Sequence, residues 1–301
     1  MNTLTRQPLA FLIVLLLALV AQRVAVAGDI DKLLALPEEK IDIGITALTL
    51  AKEIYPNLDV AAYSDKIDIL AAKVHWLAQG TQDPERRIRV LNTVLFRQEG
   101  FHYDRNPFSR AKEEYYFLNG ILDTRQGICY TMPLLYIAVA QRLGYPIYPV
   151  AAPDHLFVRY ADPSFKEQNI ETTSGGKYFP DEVYVQDFAV GPKGRKSGSY
   201  LRTLTYREFL GHIIAANAFV HARRGNGAKA LAYLERAARL NPRFADNYVN
   251  LAISYRAASK ALAGEVAQRY RDKAEAYDEK AKALGYVDAE QIAIGRKTRG
   301  G

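Results

Sequence analysis

Arg125-Gln126-Gly127-Ile128-Cys129-Tyr130-Thr131-Met132-Pro133 runs into Leu134, Leu135, Ile137, Ala138, Ala140 and Leu143 and stops at Gly144. Apolar residues at that spacing predict a helix, with Gly144 as the left-handed residue that closes it. Pro133 belongs in the first turn, where backbone donors have no partner, because deeper inside a helix it would cost about 3 kcal/mol. Cys129 is thereby set at the helix N-terminus. The positive end of the helix dipole there favours a thiolate, and the residue's own backbone N–H faces any oxyanion that develops. It is the chain's one cysteine, which excludes a disulfide framework and a cysteine-based zinc or iron–sulfur site. A lone cysteine is either a small core residue or a reactive thiol, and its neighbours decide.

Downstream, Pro153-Asp154-His155-Leu156-Phe157-Val158-Arg159-Tyr160 alternates as a half-buried strand. Leu156, Val158 and Tyr160 share one face, and His155, Phe157 and Arg159 the other. A second strand is predicted at Gln168 to Thr173, ended by Ser174-Gly175-Gly176. In an antiparallel hairpin, the register that pairs Arg159 with Glu167 also sets His155 opposite Glu171. Thiol catalysis needs this set: a thiolate, an imidazole that shuttles its proton, and a carboxylate that fixes the imidazole tautomer and stabilises its cation. Asp154, Asp162 and Asp187 are rivals to Glu171 for the third role, Asp187 the foremost.

These features resemble the core of the transglutaminase-like superfamily. The resemblance rests on Gly127-x-Cys129 opening a helix, Gly144-x-Pro146 ending it, Pro153-x-His155 opening a strand, and Asn169-Ile170-Glu171-Thr172-Thr173 after it. It extends over about residues 30–285, taking in Leu48-x-Leu50-Ala51-x-x-Ile54-Tyr55-Pro56 and Leu91-Asn92-x-x-Leu95-Phe96-x-x-Glu99-Gly100-Phe101, and is strongest to a bacterial branch that fuses the core to C-terminal tetratricopeptide repeats. It implies a papain-like α+β fold, a helix plus a small antiparallel sheet, with Cys129, His155 and Glu171 as catalytic residues. Glu171 stands where the wider superfamily usually has aspartate, and no tryptophan follows Cys129, Trp76 being the only one.

The flanks divide the rest of the chain. Arg6 precedes the apolar run Leu9 to Val20, which is too short to span a bilayer and ends in the small residues Ala25-Val26-Ala27, the pattern of a signal peptide cut after Ala27. Its removal takes Arg6 and Arg23 and no acid, lowering the net charge from +7 to +5. Residues 28–95 read as an N-terminal helical segment and 96–204 as the core. Thr205-Tyr206-Arg207-Glu208 is a capping box that opens a helical region, 205–286. Counted from Gly211, the residues Ala218, Ala230, Leu234, Ala237 and Pro242 fall at positions 8, 20, 24, 27 and 32 of a 34-residue unit resembling a tetratricopeptide repeat. A second unit starts at Tyr248, but Ala274 and Ala281 come ten residues late, which predicts an insertion around Ser259 to Gln268. Residues 287–301 form a basic tail. Gly191 to Ser199, with Lys193, Arg195 and Lys196 among glycines, is expected to be a flexible flap near the cleft.

Of 301 residues, 49% are hydrophobic, 24% charged and 11% aromatic, which excludes wholesale disorder. No arginine-rich helix or interleaving of basic and aromatic residues calls for nucleic acid. His75, His102, His212 and His221 show no spacing with carboxylates that suggests a metal, and Asp104-x-Asn106 lacks the glycine and distal glutamate of a calcium loop. No cofactor or metal is therefore expected. Tyr115, Tyr116 and Tyr130 are candidates for lining a substrate groove. The sequence thus points to an exported, periplasmic or secreted, cysteine enzyme that is not an integral membrane protein once its signal is cut. It would hydrolyse a protein or peptide amide, or pass the acyl group to an amine through a thioester, and could engage a protein partner through the repeats. The alternative is a non-catalytic scaffold in which the thiol core is a rigid base for a peptide-binding helical groove.

Overall fold

A computed structural model of the protein describes residues 31–106, 108, 111–163, 165, 169–288 and 290–291. The expected signal peptide and the residues Arg296 to Gly301 of the expected tail lie outside the described residues. Val287, expected to open that tail, is instead buried in the core.

Three helices follow one another at the N-terminal side: α1 (Ile43–Ala51), α2 (Val60–Ala78) and α3 (Pro84–Asn92). Each begins where an aspartate can cap it. Asp42 accepts from the Ile45 N–H at 2.8 Å, Asp59 from Ala62 at 3.1 Å, and Asp83 from Glu85 and Arg86 at 3.2 Å, satisfying donors that the first turn leaves open. Helix α3 continues into a π-helical turn, Thr93–Gln98. Strand β1 (His102–Tyr103) then pairs in parallel with β2 (Gln126–Gly127), with α4 (Leu118–Thr124) between them. Gly127 is closely packed, since a Cβ there would lie 2.6 Å from Ile121 Cδ1 and push that side chain aside.

Helix α5 (Thr131–Arg142) is the axis of the fold: every residue from Thr131 to Ala140 is buried. It packs against α1, α2, α4, and the strands β3 (Ile147–Ala152) and β4 (His155–Tyr160). With β5 (Asn169–Glu171) and β6 (Lys177–Tyr178) these make an antiparallel sheet in the order β3-β4-β5-β6. The alternation along β4 holds, but both of its faces are covered, not one. Leu156, Val158 and Tyr160 join the large core around α5, while Phe157 joins a second core with Val150, Ala152, Tyr184, Phe188 and Val287. A strand buried on both sides needs this second layer, which is built from residues far along the chain.

That layer includes α6 (Asp181–Asp187) and α7 (Pro192–Ser197). The expected flap over 191–199 is thus a correction: it folds as a short helix pressed against the end of the chain. Ser197 Oγ donates to the Leu284 carbonyl at 2.7 Å, and a Cβ on Gly285 (φ 86°) would lie 2.3 Å from Gly194 N. Only a glycine allows that approach.

The last four helices, α8 (Tyr206–Arg223), α9 (Gly227–Leu240), α10 (Ala245–Ser259) and α11 (Gly264–Leu284), pack in sequence order, each on the next. The Thr205 capping box forms, with Oγ1 accepting from the Glu208 N–H at 3.1 Å and the glutamate accepting from the Thr205 N–H at 2.9 Å. The insertion expected at Ser259 to Gln268 does not. Residues 260–263 make the link, and Ala267, Ala274 and Ala281 are one buried stripe of α11; a longer helix, not an extra loop, delays the alanines. Glu53 binds these helices to the N-terminal ones, accepting from Lys229 Nζ at 2.6 Å and approaching His221 Nε2 at 3.3 Å. Among the described residues no helix is long and apolar enough to cross a membrane.

Candidate active site

The Cys129 turn is set by its neighbours on both sides. The Ile128 N–H donates to Thr131 Oγ1 at 3.0 Å, and the Met132 N–H to the Ile128 carbonyl at 3.0 Å, so the chain winds into α5 directly after the cysteine. Cys129 lies two residues before the first helical residue and is partly exposed. Its Sγ is 3.8 Å from the carbonyl oxygen of Asp154, the residue before His155, and the thiol is one of the groups that raise the His155 ring.

His155 is the first residue of β4, and its Nε2 lies 2.8 Å from Glu171 Oε2. The expected hairpin register is wrong by two residues. Val158 pairs with Ile170 and Arg159 with Asn169, not Glu167, which lies outside the described residues. Glu171 is consequently diagonal to His155 on the same face of the sheet, a separation that long side chains still bridge. Arg159 keeps a structural post: Nε donates to Asn169 Oδ1 at 2.7 Å and an NH2 to Asp181 Oδ1 at 2.8 Å, which also accepts from Asn169 Nδ2 at 2.7 Å. This lock fixes the start of α6.

The Glu171 carboxylate is buried with all its directions used. Oε1 accepts from the Thr173 N–H (2.9 Å) and Oγ1 (2.6 Å); Oε2 accepts from Tyr184 OH (3.2 Å) and faces His155. Burial favours its neutral form, yet the His155 charge and the hydrogen bonds from His155 and Thr173 hold it below the usual carboxylate value. For His155, burial works against the imidazolium. The Glu171 charge and the hydrogen bonds with Cys129 and Glu171 outweigh it and raise the ring from 6.5 to about 9. With Nε2 committed to Glu171, Nδ1 is the nitrogen left for the thiol. The arrangement can hold a proton between sulfur and imidazole and keep the charged imidazole oriented, the two tasks of a thiol nucleophile's base.

Three aromatic rings complete the wall, two of which, Tyr184 and Phe188, were not singled out in the sequence. Phe188 stacks on the imidazole at 4.6 Å between centroids, and Tyr184 stacks on Phe157 at 3.7 Å. The spacing of Tyr184 and Phe188, one helical turn apart after Pro180, was the available signal. Asp187 ends α6, and Glu171 is the carboxylate 2.8 Å from the His155 ring. The tyrosines expected in a groove serve packing: Tyr115 OH bonds to Gln126 and, at 3.1 Å, to Asp104, while Tyr116 lies 4.8 Å from Phe219. Tyr130 packs against the large core. Among the described residues no cluster of three or more His, Cys, Asp or Glu is arranged to hold a metal ion.

A model of the transglutaminase-like superfamily matches residues 61–215, from α2 into α8. Among curated proteins, a UPF0162 protein of Xylella fastidiosa (strain Temecula1) is 26% identical over 132 residues, 43% of this chain and 45% of that protein. The UPF0162 protein PM0557 of Pasteurella multocida is 30% identical over 79 residues, 26% of this chain and 29% of the relative. F-box only protein 21 of Mus musculus is 37% identical over 71 residues, 24% of this chain and 11% of the relative. The chain thus spans less than half the length of these relatives.

Proposed function

The chain belongs to the transglutaminase-like superfamily, and from that premise we propose that it is a cysteine-dependent enzyme acting on amide bonds of a protein or peptide. The observation that carries this reading is the Cys129, His155, Glu171 constellation: Cys129 Sγ lies 3.8 Å from the carbonyl of Asp154, the residue before His155, and the imidazole lies 2.8 Å from a buried carboxylate.

In the proposed reaction the Cys129 sulfur attacks the substrate carbonyl while its proton resides on His155. The Cys129 backbone N–H is one donor to the oxyanion. Collapse breaks the C–N bond, His155 delivers its proton to the leaving amine, and a thioester remains on Cys129. Water then gives hydrolysis, or a second amine gives acyl transfer, with His155 taking the proton of the incoming nucleophile. Glu171 keeps the imidazole in the right tautomer and stabilises its cation. The apolar run Leu9 to Val20 and the triplet Ala25 to Ala27 support an exported, envelope setting. We further read 28–95 and 96–204 as one catalytic body with 205–286 as a repeat-like appendage. The close approach of α8 and α9 supports that part, since a Cβ on Gly211 would lie 3.0 Å from the Ala237 carbonyl, the small-residue contact that a tetratricopeptide hairpin needs.

Intact-mass measurement after incubation with a glutamine-containing peptide, with and without an amine acceptor, tests the reading. An acyl adduct on Cys129 that hydroxylamine removes, and that His155→Ala abolishes, is expected. No adduct, together with alkylation of Cys129 no faster than a model thiol at neutral pH, would overturn it in favour of the scaffold.

A further inference from the structure

The register of the sheet leaves Glu171 out of line with the ring it serves. Val158 pairs with Ile170 and Arg159 with Asn169, so the next level along the two strands sets Phe157, not His155, across from Glu171. His155 stands two residues away on β4, and its Nε2 is nevertheless 2.8 Å from Glu171 Oε2. The carboxylate must therefore lean along the sheet. A side chain keeps such a lean to the accuracy that proton transfer needs only where supporting hydrogen bonds and packing lock it.

Two residues other than His155 can supply that lock. Thr173 donates to Oε1 from its N–H at 2.9 Å and from Oγ1 at 2.6 Å, which fixes the oxygen that does not bond to the imidazole. Oε2 has a further donor in Tyr184 OH, at 3.2 Å. Tyr184 is buried, and burial beside Glu171 raises its phenol well above the ordinary value, so the hydroxyl keeps its proton to donate. Apart from Glu171, the charged groups near the phenol are Arg159 and Asp181, and these two pair with each other at 2.8 Å.

The ring that carries this hydroxyl is itself held twice. It stacks on Phe157 with 3.7 Å between centroids and 13° between planes, at the level of the sheet opposite Glu171. Its helix, α6, begins at Asp181, whose Oδ1 accepts from Arg159 on β4 and from Asn169 Nδ2 on β5, at 2.8 and 2.7 Å. Both strands of the His155 and Glu171 pair thus set where the Tyr184 hydroxyl stands.

We propose that Tyr184 is a positioning residue for the Cys129 and His155 pair: its hydroxyl holds Glu171 Oε2 in line with His155 Nε2 across the diagonal that the sheet register imposes. It acts on the chemistry through the carboxylate. The inference rests on the thiol reading above.

The test follows two observables in the full-length protein: the rate of Cys129 alkylation by iodoacetamide across pH, and the titration of the His155 ring by NMR. Tyr184→Phe keeps the ring, its volume and its stacking on Phe157 and removes the one hydroxyl. With Oε2 free to drift, the His155 titration should move to lower pH, and alkylation at pH 7 should slow by about threefold or more, less than the full worth of a hydrogen bond to a buried charge. Tyr248→Phe is the control. It removes a buried tyrosine's bond to the Pro242 carbonyl, 3.0 Å long, and should lower the melting temperature while leaving both observables in place. The same behaviour in Tyr184→Phe would make Tyr184 structural and overturn the proposal. A His155 titration that moves to higher pH would overturn it too, because the hydroxyl would then only be withdrawing charge from Glu171, not steering it. His155→Ala separates the two readings. If it reacts as fast as wild type, the functional reading falls and this inference with it; if it is slow while Tyr184→Phe tracks the wild type, this inference alone falls.

Discussion

Glu171→Gln isolates the charge of the buried carboxylate from its shape. In the wild type His155 stands at about 9, so at pH 7 its charged form exceeds the neutral one about a hundredfold. Raising an imidazole from 6.5 to about 9 corresponds to about 3 kcal/mol in favour of its charged form. Glutamine keeps an oxygen for Nε2–H but removes the Coulomb attraction, leaving burial unopposed from that side, and the ring should drop below 6.5. The neutral form would then outnumber the charged one by at least about threefold at pH 7. The glutamine amide nitrogen must also face either Thr173 or the His155 and Tyr184 side, so one donor meets a donor, at about 1–3 kcal/mol. The assay is alkylation of the chain's one cysteine, followed by mass between pH 5 and 10. At pH 7 the variant should react at least about tenfold more slowly than wild type, while Asp187→Asn stays within about twofold. Overlapping profiles for wild type and Glu171→Gln would refute the electrostatic argument, and the reverse ranking would move the acid to Asp187. Stability offers a second readout. A raised histidine stabilises the fold fully below its unfolded value and loses that contribution as pH rises from 6.5 to about 9. The loss should be present in wild type and largely absent in Glu171→Gln.

His212 is buried beside Asn241, and burial, against the pull of Glu208, lowers it from 6.5 to about 4. Its contribution is intact above 6.5 and lost as pH falls toward 4, worth up to about 3 kcal/mol; urea midpoints at pH 7 and pH 4.5 should converge between wild type and His212→Asn, and a constant gap would contradict this. Glu53 is held at about 2 because hydrogen bonds from His221, Lys229 and Tyr233 outweigh its burial. Glu53→Gln should cost about 1–2 kcal/mol above pH 4.5, allowing for screening at the exposed Lys229. The difference should shrink as pH falls from 4.5 toward 2, and a pH-independent one would mean that shape, not charge, is what Glu53 supplies. Trypsin should spare the bonds after Arg195 and Lys196 in the folded protein because α7 is packed on α11. First cleavage there would show that this contact opens readily.

The parts of the fold legible in sequence were those governed by short-range rules. The α5 stop at Gly144 and the Thr205 capping box depend on residues within one turn, and both stand in the structure. The alternation of β4 was readable too, but not that both its faces are covered, because Val287 and Ala245 arrive from far along the chain. The hairpin register failed for a related reason. Charge complementarity suggested Arg159 with Glu167, whereas the arginine's partners are Asn169 across the strand and Asp181 on the next helix. His155 and Glu171 meet nonetheless, because a diagonal pair on one face tolerates a shift of two residues where a shift of one would have put them on opposite faces. The 191–199 segment misled through composition: its glycines permit close packing, not motion, as the Gly194 and Gly285 approach shows.

The second core under the sheet also has a bearing on synthesis. The ribosome releases the chain from its N-terminus, so Cys129, His155 and Glu171 emerge well before the groups that close over the back of β4. Phe157 faces Tyr184 and Phe188 early, but Ala245 and Val287 arrive last, and until they do one side of the strand is an exposed apolar surface of the kind that invites aggregation. A nascent chain therefore exposes its thiol before its fold can hold the imidazole against it, and ribosome-arrested chains ending before α10 should carry a cysteine with ordinary reactivity.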